Sequence, residues 1–394
     1  MRRTGKTAML QAAALALFSV CCAAHARIKL VALPDRDTTV IRLDNPQATL
    51  IQEERVLTLQ KGVNKVDFSW KGVSVDQDSI RLEALQHPDK VVLLNVSFPP
   101  AEQALVWEIA SDDARQERVR ISYLLSNIDR LITYRATANI DETAADLQSY
   151  VVVRNFSGED FSSARILLDY GEAFEQSTKH EETKQLLFFR APKVPIEKVW
   201  TFDASRLPWD PEKIDSNVGI PVTYRIRNSQ ENGLGRNALW AGKIRVFQDD
   251  GHGGTIVLGE DTAELIPVGE NMEVYIGDSR DIVVTQRKMK EEKINIRRNS
   301  SNAIVLYDTD EIITARIENF KDKPAVLILT EHIPERGPFA ALRYGRGEPI
   351  CQWDMEECSH NYEVKDASTL EFRIELAPRS KQKVVMHYHR RNLR

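Results

Sequence analysis

GKIRVFQDDGHGGTIVLGED, residues 242–261, crowds acids, a histidine and glycines between two apolar runs. Read as a ligand loop, QDDGHGG would make this a metal or phosphate protein. Read as the tip of a hairpin, it makes the chain a sheet protein. A calcium loop of the hand type needs oxygen ligands at alternate positions and a distal bidentate glutamate. Here Asp249 and Asp250 are adjacent, and Gly251, Gly253 and Gly254 fill the spacing that ligands would need. A phosphate loop needs a following helix whose amides face the anion, and TIVLG follows instead. Glycines let the chain reverse with positive φ, and Gly242–Phe247 and Thr255–Leu258 both read as strands. Turn chemistry accounts for every residue of the loop. It is a hairpin tip.

Working outward, apolar residues recur with period two almost everywhere. Val66, Phe68 and Trp70 alternate with polar neighbours, as do Val119, Ile121 and Tyr123, and Leu370, Phe372, Ile374 and Leu376. Each such run buries one face and wets the other. Denser runs at Tyr150–Val153, Leu186–Phe189 and Ala325–Leu329 suit strands covered on both faces. Turn residues able to take positive φ separate strands at 60–64 and 155–160. Helical windows are scarce. Asp112–Glu117 is long enough for one turn, and Lys288–Lys293 has no apolar stripe. The fold class expected is all-β: tandem antiparallel β-sandwich domains with an immunoglobulin-like C-terminal sandwich. The divisions expected are a signal peptide at 1–26, an N-terminal β domain at 27–120, a central β domain at 121–294 and the C-terminal sandwich at 295–394. The polar run 291–301 would join the last two, and 205–217 would be a crossing loop.

The first residues read as an address. Arg2, Arg3 and Lys6 precede an apolar run from Ala8 to Ala24, and Ala24-His25-Ala26 has the small-x-small form of a cleavage site after Ala26. The run is short for a membrane span. Val20 before Cys21 is too large for a lipoprotein site. An exported chain, periplasmic or secreted, is expected, with no membrane span after cleavage. Losing three positive charges takes the formal balance from −5 to −8. That balance argues against nucleic acid, which needs a dense positive face. Two cysteines then remain, Cys351 and Cys358, in CQWDMEEC. In an oxidising compartment this pair reads as a disulfide closing a small stapled loop that presents Trp353.

Chemistry-bearing patterns are few. His387 and His389 in VVMHYHRR share one strand face about 7 Å apart, a spacing used by some zinc sites. Val384, Met386 and Tyr388 would then face the core and the imidazoles would face solvent, and His360 or His332 would supply a third ligand only by an accident of the fold. The carboxylates of 307–311 and 278–281 read as turn and solvating residues rather than a glycosidase pair. There is no G-x-S-x-G elbow and no H-E-x-x-H helix. Trp70 and Trp107 fall in phase with the core, whereas Trp209 and Trp353 fall in loops and are the candidates for a contact surface. No catalytic residue, no metal ligand and no cofactor is expected.

The segments ISYLLSNIDRLITYRATANI (121–140), LQSYVVVRNFSGEDFSSARILLDYGEA (147–173), AGKIRVFQDDGHGGTIVLGEDTAELIPVGENMEVYIGDSRDIVV (241–284) and ARIENFKDKPAVLILTEHIP (315–334) occur in an order that resembles a domain of mucoidy-inhibitor-A-like bacterial proteins. The resemblance covers about residues 121–392. The helical insert of larger members is not seen here, and the N-terminal part is similar only in its hairpin pattern. The resemblance implies an exported, β-built envelope protein with no established activity, and it carries over no functional residues. The combined reading is a non-enzymatic binding or scaffold module whose partner is an envelope protein or polysaccharide. The alternative is a hydrolase or lyase acting on envelope polysaccharide.

Overall fold

The computed structural model describes residues 29–45, 47–169, 173–210, 219–333 and 352–393. The segment 1–26 with its cleavage position Ala26, and Cys351, lie outside them. Strands dominate the described residues, and two 3-10 turns, Gln77–Ser79 and Gln230–Asn232, are the helical pieces among them. The chain divides into two compact units, 1–130 with 153–184, and 131–152 with 185–394. Position 294/295, expected as a domain boundary, falls inside the strand Ile282–Arg298.

The first unit packs two sheets. One runs Lys29–Val31, Gly62–Ser69, Ala104–Ser111, Val91–Ser97. The other runs Phe174–Thr178, Phe161–Leu167, Thr38–Asn45, Ala48–Leu59, Arg115–Leu125, Arg81–Ala84. Phe68 joins them, its ring centroid 5.5 Å from Trp107 within its own sheet and 5.8 Å from Tyr123 on the other. Trp70 and Trp107 are buried, as their phase predicts. Asp112–Asp113 is a bend leading into a strand rather than a helical turn. Gly158 holds φ +91°, and a Cβ there would stand 2.1 Å from the Gly72 carbonyl oxygen, so this turn requires glycine.

The second unit is built mostly from three sheets. A five-stranded one runs Glu182–Pro195, Ala144–Asn155, Ile128–Ala138, Gly242–Asp249, Thr255–Ala263. Leu187 lies half exposed on its edge strand, so the dense run 186–189 is not covered on both faces. The remaining two form a sandwich. One sheet runs Asn271–Ser279, Ile220–Arg227, Glu197–Asp203, Ala325–His332, Thr369–Leu376, Glu363–Val364. Its partner runs Ile282–Arg298, Ile304–Asn319, Lys381–Leu393, Gln352–Cys358. Trp200, Phe202, Leu327 and Phe372 of the first meet Ile313, Ile317, Met386 and Tyr388 of the second in one core. The all-β sandwich expectation holds.

Three expectations need correction. The sheets are not purely antiparallel, because among the described residues four strand pairs run parallel: 29–31 with 62–69, 38–45 with 161–167, 128–138 with 242–249, and 197–203 with 325–332. The polar run 291–301, expected to join two domains, and the acidic run 307–311, expected as turn residues, instead belong to one long hairpin of Ile282–Arg298 and Ile304–Asn319. Finally, the described part of CQWDMEEC, Gln352–Cys358, is not a loop. Gln352–Cys358 is a strand hydrogen-bonded to Lys381–Leu393, and Cys358 carries a free thiol. At about 3.3 Å per residue the strand spans about 20 Å, whereas a disulfide needs Cα atoms within about 7 Å.

Candidate functional site

The face of the sandwich that turns away from the core holds the densest polar constellation on the described residues. It follows from strand alternation. Along Lys381–Leu393, Val384, Met386, Tyr388 and Arg390 point inward and are buried, so His387 and His389 point outward, as expected. Along Ile304–Asn319, Glu311, Ile313, Ala315 and Ile317 point inward, leaving Asp310 on the outer face. The antiparallel register sets Asp310 opposite His389, and Ile312 opposite His387. An opposite pair and its diagonal neighbour on one face are within side-chain reach. Oδ1 of Asp310 is 2.5 Å from His387 Nε2 and 3.1 Å from His389 Nε2. The two rings stand edge to face, 5.6 Å apart and at 87°.

Two bulges complete the constellation. Met355 pairs with Tyr388 and Glu357 with His387, so Glu356 is an extra residue between them. A bulge re-aims a side chain. Here Glu356 Oε1 lies 3.2 Å from His389 Nδ1. On the other flank, Lys288 pairs with Ile313 and Lys290 with Ile312, with Met289 as the extra residue. Lysines two positions apart would ordinarily share a face. The bulge instead sends Lys288 inward to Glu311 and Lys290 outward to Asp310, with Nζ 2.5 Å from Oδ2. That ammonium, helped by His387, holds the Asp310 carboxyl down at about 2.

Beneath this face lies a buried ionic network. Glu311, fully buried, accepts from Arg390 Nε at 2.5 Å, Lys288 Nζ at 2.9 Å and Thr309 Oγ1 at 2.8 Å. Burial alone would push its carboxyl up, but Lys288, Thr309 and Arg390 outweigh burial and hold it below the ordinary value. Glu331, on the facing sheet, behaves oppositely. It accepts from Gln286 Nε2 at 2.5 Å, and burial pushes its carboxyl up to about 7. Gln286 Oε1 is buried without a partner among the described residues.

The other residues singled out by sequence are placed elsewhere. QDDGHGG is the hairpin tip expected, with Asp249 paired to Thr255 and Gly251 and Gly253 at positive φ. Its acids serve their own turn: Asp249 Oδ1 accepts from Gly251 N, and Asp250 Oδ1 accepts from His252 N and Gly254 N. Trp209 and Trp353 both pack partly against the sandwich core, and their indole N–H groups donate to the Ala204 and Ala367 carbonyls. His332 bonds Asp203 and Thr369, and His360 bonds Ser359, so neither joins His387 and His389. The third group is Asp310, which had been read as a turn residue. Its signal was an aspartate in a run with strand residues on both sides, too weak to place it opposite an H-x-H pair.

No protein-family model matches the chain, and no curated protein is similar to it.

Proposed function

We propose that this is an exported envelope protein that works without catalysis, as a binding module with an immunoglobulin-like C-terminal sandwich. Its partner on this reading is an envelope protein that adds an extended segment to a sheet edge. One observation carries the reading. Val91–Ser97 is the last strand of its sheet, bonded on one side to Ala104–Ser111, with no strand paired to its other side among the described residues. Val92, Leu93, Leu94 and Val96 on it are exposed, and so is Phe98 just beyond. Side chains on both faces of the strand are therefore bare. Edge strands are ordinarily guarded by charge or proline, and VVLLNVSF carries neither; a bulge at Leu94 is the one guard present. An open apolar edge is the surface on which strand addition draws affinity from main-chain hydrogen bonds and specificity from alternate side chains. The Arg2, Arg3 and Lys6 leader with its Ala26 cleavage form supports export, and the family resemblance supports the envelope.

The test is retention of a defined envelope protein by purified wild type, compared with a variant carrying Val92→Lys, Leu94→Lys and Val96→Lys. The lysines should abolish retention and leave the melting temperature within a few degrees, since all three side chains are exposed. Equal retention by both proteins would sink the edge as the contact. Turnover of an envelope polysaccharide, lost on substitution of one carboxylate, would replace the reading with that of a hydrolase or lyase.

A further inference from the structure

We infer that Asp310, His387 and His389 form a binding site for one first-row divalent transition-metal ion, with Zn2+ the best fit. The first argument is convergence. One ring nitrogen of each histidine and a carboxylate oxygen of Asp310 all lie within 4.8 Å of one another. Zinc held at about 2.0–2.1 Å in tetrahedral geometry sets its ligand atoms about 3.3 Å apart. The two imidazole-to-carboxylate separations, 2.5 and 3.1 Å, reach that spacing by movements of less than about 1 Å.

The second argument is the hydrogen-bond grammar of His389. Its Nδ1 faces Glu356 and its Nε2 faces Asp310, so a carboxylate oxygen stands against each nitrogen. A neutral imidazole has one N–H. If Nδ1 donates to Glu356, Nε2 presents a lone pair to the lone pairs of Asp310, and a cation between them resolves the clash. A carboxylate on the far nitrogen of a ligating histidine is also the usual outer partner of a zinc ligand, fixing its tautomer and raising its basicity. The bulge that frees Glu356 from the ladder is what brings it there.

The third argument is balance and access. Lys290 occupies Oδ2 of Asp310 and so leaves Oδ1 as a single, directed ligand atom. Two imidazoles and one carboxylate make a donor set suited to zinc, and three protein ligands leave a fourth position. With both histidine side chains more than a quarter exposed, that position opens to solvent, where water or an anionic group can take it. The site lies on the outer face of the C-terminal sandwich, independent of the edge strand at 91–97.

The experiment uses untagged protein stripped with a chelator and titrated calorimetrically with Zn2+, with Co2+ as the optical probe. Wild type should bind one equivalent and raise its melting temperature, and Co2+ should give the visible absorption of a four-coordinate ion. His387→Gln combined with His389→Gln should abolish binding while leaving the chelated protein as stable as wild type. Glu356→Gln should weaken binding about 10–100-fold, as loss of an outer-shell partner does. His252→Ser should bind as wild type does. Absence of stoichiometric Zn2+ binding in wild type, or unchanged affinity in the double variant, overturns the inference.

Discussion

Two regions of this chain invert what their compositions suggest. QDDGHGG gathers two acids, a histidine and three glycines within seven residues, and it is a turn. The Asp310, His387 and His389 cluster is scattered over 79 positions, and it converges. The difference lies in where each polar group finds its partner. In the loop, the carboxylates of Asp249 and Asp250 accept from backbone amides two and four residues away, so each acid serves its own turn. On the sheet, a flat surface holds side chains from neighbouring strands upright and cannot satisfy them locally, so they turn to each other. Density along a sequence marks a turn. Convergence across a ladder marks a site.

The comparison breaks most sharply at the network beneath the sheet face. Glu311→Gln removes the fully buried carboxylate that accepts from Arg390, Lys288 and Thr309, and stability should fall by about 3–5 kcal/mol. The midpoint of urea unfolding measures it; a loss below about 1 kcal/mol would mean the network is not what holds these strands in register.

Glu331→Gln sharpens the contrast between two buried carboxyls of one sandwich. Glu331 in the folded chain holds its proton up to about 7, whereas the ordinary value is 4.5. Between those values the unfolded chain has released the proton and the folded chain has not. Wild-type stability therefore falls as pH rises through that window, by about 3 kcal/mol, and the loss is complete above it. The glutamine variant lacks that decline. Its advantage over wild type should be absent near pH 4, grow to pH 7 and then level off. An advantage that is flat across pH would refute the assignment.

The smallest effect belongs to the loop. Replacing Asp249, Asp250 and His252 together with serine keeps side-chain acceptors near the turn amides. Stability should change by no more than about 0.5 kcal/mol, and zinc affinity not at all. A chelator-sensitive melting temperature that this variant loses would return the loop to the list of ligand sites.

Much of the fold was legible because period-two burial is a local pattern. Leu370, Phe372, Ile374 and Leu376 are all buried, and Val384, Met386 and Tyr388 face inward as their phase requires. What failed was the reading of charge. Lys288–Lys293 and Tyr307–Glu311 look like solvated connections, but each neutralises the other across a hairpin, and only the ladder shows it. The bulges at Met289 and Glu356 were equally hidden, since each reverses the alternation that sequence reading assumes to be continuous. CQWDMEEC misled for a related reason. Two cysteines close in sequence suggest a closed loop, but the tryptophan and methionine between them alternate inward onto a core, and that alternation is a strand.

The division of the chain into interleaved units bears on how a growing polypeptide can assemble. Synthesis enters the second unit after Arg130, returns to the first at Val153 and leaves it again after Lys184. The strand Thr38–Asn45 waits for its parallel neighbour Phe161–Leu167, where Arg165 comes to lie beside Val40. By then residues 131–152 of the other unit already exist. The first unit cannot close its sheet before the second has begun, so its nascent edge stays open for more than a hundred residues of translation. That interval is when such a chain is most exposed to wrong pairing. No single cut yields either unit whole, and a laboratory that seeks one of them alone must rejoin the chain in a new order.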